Sequence, residues 1–585
     1  MSDDLLLSLL WFVPLAGCLI VLLIPKRAEL AIKGFSLGVT LVTFALTLVA
    51  FSAYVAPGSA AATPLSQRAE NNALSASTIP GASIASTETG AALNDLVVRH
   101  AWIPDFNIQY YLGLDGISLS LIILTGLVSV LSCLASWNIE KQVKGYFSLY
   151  LLLTASMMGV FLALDLFLFY VFFEVMLLPM YFLIAVWGGE NREYAAIKFL
   201  LYTLFGSVFI LVAILALYFW PGDVQLVRGA TGNIMGGAAF HAHTFDIVAL
   251  TRIATETGYY GKTIQQVIFV LFLIGFCVKL PSFPFHTWLP DAHVQAPTPI
   301  SMILAGVLLK IGGYGLIRLA WPLAPSGAYD MAYYVAVLGV FSIIYGALAA
   351  MAQTDFKKLV AYSSVSHMGY VTLGMAVMQL ASKSDPRYYA YGVNGAMFMM
   401  IAHGITSTGM FFLVGVIYDR AHTRDLRKLG GLLNAMPIYG AVMMLIFFGS
   451  MGLPGLCGFI AEVFVILSSF HYNPLLGIFA AAAVILTAGY ILWTLQRVLL
   501  GRNEQYRGLP DLTIREMIIA APLVILTVAL GVAPQQMLLS WMSPSVDQMV
   551  RSVTSARSIP GSIPPIQQAA AAAPAQVTAA RPAAD

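Results

Sequence analysis

Along the chain, mostly apolar runs of about 20 residues, the length that crosses a bilayer as a helix, alternate with polar connections. Fourteen such runs can be read: 5–24, 32–54, 114–135, 146–164, 166–187, 197–220, 264–286, 298–320, 331–352, 356–378, 393–418, 435–469, 474–499 and 515–543. The pattern predicts an all-α polytopic membrane protein. The first run opens on Met1-Ser2-Asp3-Asp4, without a basic lead, and Lys26 and Arg27 follow it, so it reads as a retained helix.

Composition agrees. Of 585 residues 59% are hydrophobic and only 10% charged, against roughly a quarter charged in a soluble domain. This excludes a disordered chain, a nucleic-acid binder and an ordinary soluble enzyme. The net charge of +2 implies no acidic partner. Cys18, Cys133, Cys277 and Cys457 each sit in an apolar run, without a CxxC pair, and read as buried hydrophobes.

Basic residues set the expected orientation. Loops and flanks after odd-numbered helices carry seventeen Lys and Arg, and the short loops after even-numbered helices carry three, Arg318, Lys383 and Arg387. The odd loops are therefore expected in the cytoplasm and both termini outside. Residues 56–95, 221–263 and 552–585 read as outer additions, the first and last mobile, the last an Ala/Pro tail. His241 and His243 in the second are weak metal candidates. No GxGxxG motif or P-loop follows a strand, which argues against flavin, NADH or ATP binding by this chain itself.

The informative residues are ionisable groups inside the apolar runs, where charge is costly and usually marks an ion or proton path. Glu174 stands in Phe167–Met180 with no local basic residue, so it needs a partner from another helix or must carry a proton; a neutral, hydrogen-bonding carboxyl is the alternative. Lys279 stands two residues before Pro281 and five before Pro284. Each proline lacks an N–H, so the seventh helix is expected to break there, beside a polar cavity. Lys310 lies among Gly306, Gly312 and Gly313, which permit close helix approach. Both lysines could instead snorkel to the interface. His367 lies in a hydroxyl-rich stripe and His403 in the eleventh run. A neutral imidazole can accept a proton at one nitrogen and release one from the other, or simply be a satisfied hydrogen-bonding group. Glu462 follows the Pro/Gly cluster 449–458, which predicts a second broken helix, the twelfth. Two breaks five helices apart suggest two five-helix repeats, the second inverted. The predicted layout is helices 1–2 with a long loop (1–113), helix 3 (114–145), repeats at 146–320 and 331–499, helix 14 (515–543), and the tail. Polar groups at intervals along one apolar body, without a nucleophilic motif, read as a proton wire.

The run from Lys279-Leu-Pro-Ser-Phe-Pro-Phe-His286 through Lys310 to Gly315 resembles the signature of the antiporter-like membrane subunits of respiratory complex I. Mrp-type cation/proton antiporters and membrane-bound hydrogenases share that superfamily, and the resemblance spans about residues 1–545. Trp102-Ile-Pro104, Leu114–Ser118, Phe161–Glu174 and Pro179–Ile184 look like its subunit M (chain-4) branch. Glu462 does too, because the L and N branches usually carry lysine there.

The resemblance implies a proton-translocating subunit of NADH-quinone oxidoreductase in the bacterial plasma membrane. Glu174 would modulate Lys279, Lys310 would be the central relay, and His367 and His403 would extend the path to Glu462. His286 would be an extra relay or a structural hydrogen-bonder. It also implies that FMN, iron–sulfur clusters and the quinone site belong to other subunits, with no cofactor or metal in this chain. The implied partners are the L and N subunits, the lateral helix of L, phospholipid and, indirectly, NADH and quinone. A Mrp-type antiporter subunit is the alternative.

Overall fold

The computed structural model describes residues 2–55, 95–220, 224–225, 239–240, 243–257, 260–377 and 387–556. Almost all of 56–95, much of 221–263 including His241, and 557–585 lie outside the described residues, and with them the expectations of mobility.

Twelve helices among the described residues are long and apolar enough to cross a membrane. They are α1 (Asp3–Leu23), α2 (Glu29–Val55), α3 (Gly116–Ala135), α4 (Val143–Leu162), α5 (Leu166–Val175 with Leu177–Trp187), α6 (Arg192–Phe219), α7 (Lys262–Lys279), α8 (Thr298–Leu323), α9 (Pro325–Met351), α11 (Arg387–Ala421), α13 (Pro474–Leu499) and α14 (Ile514–Val532). The other two expected helices fall short of that threshold for different reasons. α10 (Phe356–Ala376) carries two lysines, three serines and His367 through one span. α12 is split into Pro437–Ser450 and Cys457–Tyr472, each too short alone.

α8 and α11 are the inner helices, their apolar stretches wholly buried while Tyr391 and Tyr418 near the ends of α11 reach the surface, whereas well under half of the apolar stretches of α1, α2, α6, α13 and α14 is buried. A helix apolar on all sides suits either lipid or a protein core. Small residues decide which neighbours approach. A Cβ on Gly312 of α8 would stand 2.6 Å from the Leu280 nitrogen and 2.8 Å from the Phe276 oxygen, and one on Gly313 would meet Met400 Sδ at 2.4 Å. The glycines of α8 thus press it against the end of α7 on one side and α11 on the other, as their spacing suggested. All four cysteines are buried and free.

The loops after α3, α5, α7, α9 and α11 gather with the start of α14 on one face, around a cavity lined between Ala135 and Ile519. The opposite face carries an antiparallel hairpin, β1 (Leu96–Ile103) with β2 (Ile108–Leu114), within the long loop expected before the third helix. Asp165 ties this hairpin to the bundle. Its carboxylate caps α5 through the Phe167 and Leu168 N–H groups and accepts the Gln109 N–H. Burial pushes that carboxyl up to about 6. Arg99 of β1 pairs with Asp246 at 2.8 Å.

The last predicted helix, 515–543, needs correction. α14 stops at Val532, and after a wide turn at Gln535–Leu539 an amphipathic helix, α15 (Ser540–Thr554), follows. Pro534 supplies no N–H to continue α14, and the next residues are Gln535 and Gln536. α15 turns Trp541, Met542, Val546, Val550 and Val553 onto the protein. Ser545 accepts the Gly116 N–H at 2.9 Å, and Tyr54 reaches the Trp541 carbonyl at 3.2 Å.

Gly312→Ala tests the close α7–α8 approach. Backbone stands in the way of the new methyl, so overpacking should cost about 1–3 kcal/mol and lower the melting temperature of the purified complex in detergent. An unchanged melting temperature would contradict the packing described.

Candidate functional site

The site is built on interruptions of three helices. Pro281 offers no N–H to the Cys277 carbonyl, which takes the Ser282 N–H at 3.0 Å instead. The Val278 carbonyl accepts the Trp288 indole N–H at 2.9 Å. Chain 280–287 crosses the gap, the Phe283 N–H donating to Ser342 Oγ at 3.0 Å, and a helix resumes at Trp288–Gln295. In α12 the break at 451–456 contains Pro454 and two glycines in the left-handed region, Gly452 (φ 78°) and Gly455 (φ 90°).

The third interruption, in α5, follows Glu174 and went unread in the sequence. Pro179 leaves the Val175 carbonyl without its donor, and the helix pauses at Met176, whose N–H reaches Phe172 at a long 3.4 Å. α8 is also irregular. Wide π-helical turns at Leu304–Leu308 and Leu316–Ala320 bracket Lys310. Such turns are frequent at functional sites.

Lys279 is the last residue of α7 before the break. Its Nζ is buried without a hydrogen-bond partner and lies 5.0 Å from the centre of the Phe173 ring and 5.7 Å from that of Phe199. The surroundings of the ammonium are thus aromatic, not the polar cavity that the two prolines suggested. Glu174 acts on Lys279 through its electric field but is not in ion-pair contact. Its own Oε1 is buried and unpartnered. His286, within the break, is packed among Phe283, Tyr345 and Tyr362 with both ring nitrogens unpartnered.

A second cluster is continuous. Lys310 donates to the Ala305 carbonyl in the first π turn, and its Nζ lies 2.8 Å from His403 Nδ1. The His403 and His367 rings are 5.5 Å apart. His367 Nδ1 lies 2.8 Å from the Ser363 carbonyl oxygen, and Nε2 lies 2.8 Å from the Ser450 carbonyl oxygen, the last of the first half of α12. Carbonyls only accept, so one neutral ring cannot donate to both; an imidazolium can. The Ser363 hydroxyl connects to Tyr490 Oη at 2.7 Å. Tyr490 and Tyr370 both lie within the field of Glu462. Glu462 itself is buried, with Oε1 unpartnered.

The structure thus joins Lys310, His403 and His367, sets Glu174 near Lys279 without contact, and leaves Glu462 behind Tyr490. Residues that the sequence reading passed over are Tyr490, Ser363, His293 and Lys357. His293, seven residues after His286, is fully buried and stacked flat on Phe411, ring centres 4.2 Å apart, with both nitrogens unpartnered. Its place within the signature run was the available signal. In the sequence Lys357 reads only as a loop charge. Of the two metal candidates, His243 instead bonds the Tyr218 carbonyl at 2.9 Å. Among the described residues no three His, Cys, Asp or Glu gather as a metal site.

Residues 163–487 match the family model "NADH:quinone oxidoreductase/Mrp antiporter, TM", and residues 91–164 match "NADH-ubiquinone oxidoreductase chain 4, amino terminus". NADH-quinone oxidoreductase subunit M of Rhodobacter capsulatus is 44% identical over 460 residues, 78% of this chain and 84% of the relative. The chain belongs to the NADH-quinone oxidoreductase subunit M family. A cyanobacterial member, NAD(P)H-quinone oxidoreductase chain 4 of Picosynechococcus, is 37% identical over 533 residues, 89% of this chain and 88% of that one. Among solved structures, a chain of respiratory complex I from Thermus thermophilus superposes with a TM-score of 0.75 at 26% identity, covering 94% of this chain and 99% of that one. A chain of the Mrp complex of Dietzia shares the fold, with a TM-score of 0.72 at 19% identity, covering 95% and 100%. The family relationship fits a membrane body whose distinctive side chains are buried ionisable groups.

Gly452→Ala probes the α12 break. The substitution strains a positive φ, and its Cβ would stand 2.0 Å from Glu462 Oε2. The cost should exceed about 1 kcal/mol, read as a lower melting temperature, with the Glu462 carboxylate displaced. A variant as stable as the parent would refute this placement of Glu462.

Proposed function

We propose that the chain moves protons across the membrane as a subunit of NADH-quinone oxidoreductase, driven by electron transfer in other subunits. The observation that carries this reading is the buried series Lys310–His403–His367–Ser363–Tyr490 leading toward Glu462 through an otherwise apolar body. Lys310 hands a proton to His403 Nδ1. His403 relays it toward His367, and the hydroxyls of Ser363 and Tyr490 extend the route to Glu462. Glu174 and Lys279 form the control pair. When the two approach, the carboxylate favours the lysine's charged form; when they part, burial without a counter-charge favours proton release. His286 lies beside this pair as an extra relay.

The family relationship supports partners among the membrane subunits of complex I. On this reading the neighbours are the L and N subunits, with the lateral helix of L running alongside and phospholipid against the exposed apolar faces. FMN, iron–sulfur clusters and quinone sit in other subunits. The host membrane is the bacterial plasma membrane, the cavity face is cytoplasmic and both termini are outside. Residues 146–320 and 331–499 act as two five-helix units, each with one broken helix. Cation/proton antiport is a less favoured reading, because Glu462 stands where lysine is usual in the related L and N branches.

In membranes carrying Lys279→Ala or Glu174→Gln, with complex assembly checked, NADH-driven proton pumping and NADH-quinone electron transfer should both fall about tenfold or more, that is, by at least about 1.4 kcal/mol in the barrier. Unchanged pumping and electron transfer in the assembled variants would remove both residues from the proton path.

A further inference from the structure

The proton series ends at Lys310, in the middle of α8, and needs a supply. A cavity of about 840 Å³ opens on the face formed by the loops after the odd-numbered helices. It has room for many waters at about 30 Å³ each. Its wall includes Ala296, Thr298, Asp355, Lys357 and Arg424. At the mouth, Arg424 pairs with Asp355 at 3.4 Å, so neither presents an isolated charge. Lys357 is different. It lies in the first turn of α10, is 4% exposed, and its Nζ donates to the Ala296 carbonyl at 2.5 Å, with no carboxylate among the described residues in ion-pair contact.

Behind Ala296, three residues back along the chain, lies His293. Its ring is held against Phe411, and neither nitrogen has a partner among the described residues. The fields of two lysines reach it, Lys357 at the cavity and Lys310 at the membrane centre. The field of His293 in turn reaches His403, the hydrogen-bond partner of Lys310. Lys357 thus joins the cavity to the Ala296 carbonyl, His293 stands one helical turn before Ala296, and electrostatic influence links His293 onward to the Lys310–His403 pair.

We propose that Lys357 is the proton-entry residue of this subunit and His293 the relay that connects it to Lys310. This rests on the proton-translocation reading above. The neutral Lys357 amine takes a proton from water in the cavity. Its ammonium passes one proton to a ring nitrogen of His293. The opposite ring nitrogen releases its proton to the Lys310 amine, and reorientation of the neutral ring restores the relay. A lysine suits this position because it is compact and changes protonation state when buried. It spends its resting contact on a backbone carbonyl, not on a carboxylate that would trap the charge.

The test compares Lys357→Arg, Lys357→Met and Lys357→His in membranes with assembled complex. Arginine keeps the charge and a donor for Ala296 but does not release a proton; histidine does. Both Lys357→Arg and Lys357→Met should lose about tenfold or more of NADH-driven pumping, and Lys357→His should recover a large part of it. Full pumping in Lys357→Arg would overturn the proposal, since a structural cation would then suffice.

A second measurement covers failure of a Lys357 variant to fold. The native cysteines are all buried, so Thr298→Cys places one accessible thiol in the cavity wall. A small water-soluble thiosulfonate, applied from the loop face, should modify it and cut pumping severalfold; modification without effect, or none, would count against entry by this route. If Lys279→Ala and Glu174→Gln abolish pumping while all of these variants retain it, the proton-translocation reading stands and only the entry route falls.

Discussion

Hydrocarbon offers a backbone nothing to bond with, and this governs how the protein can be functional at all. Each N–H and C=O inside a bilayer needs a partner within the protein. Yet the site depends on helices interrupted at membrane depth. The structure reconciles the two by repairing the breaks. Ser282 serves the Cys277 carbonyl, Trp288 serves Val278, Ser342 takes the Phe283 N–H, and His367 reaches the Ser450 carbonyl. The last is the most consequential. A side chain of the proton series is also the group that satisfies the open end of the first half of α12, so the ring's proton and the backbone at that break share one hydrogen bond.

The same constraint explains where polarity sits. α8 and α11 are buried on all sides, so Lys310 and His403 face each other without meeting lipid. α10 is too polar to read as a lipid-facing span, and it supplies His367 and Ser363 to the interior. Lys279, Lys310 and Glu462 are admitted where protein surrounds them, and glycines such as Gly312 bring the helices close enough to exclude lipid.

Much of this was legible in the sequence. Apolar run lengths gave the helices, the prolines after Lys279 gave the α7 break, and the Pro/Gly cluster before Glu462 gave that of α12. Charges within apolar runs singled out Glu174, Lys279, Lys310 and Glu462. What escaped has physical reasons. Pro179 lies four residues after the carbonyl it orphans, so the α5 break appears near Glu174 and away from the proline. The π turns around Lys310 leave no compositional mark. Lys357 looked like one more loop charge because run boundaries do not say how deeply a helix start is buried. His293 lay in plain view, but its unpartnered nitrogens emerge only once Phe411 is stacked on it. α15 merged with α14 because amphipathic residues beyond Pro534 continue the apolar count.

The central claim is that Lys310 must both hold and release a proton. Lys310→Arg keeps the positive charge but withholds the release. The decisive measurement is protons pumped per NADH oxidised in assembled complex carrying this substitution. The account predicts that pumping collapses, together with the electron transfer coupled to it. Wild-type pumping with the wild-type ratio would contradict the account, because a fixed charge at that position would then be enough.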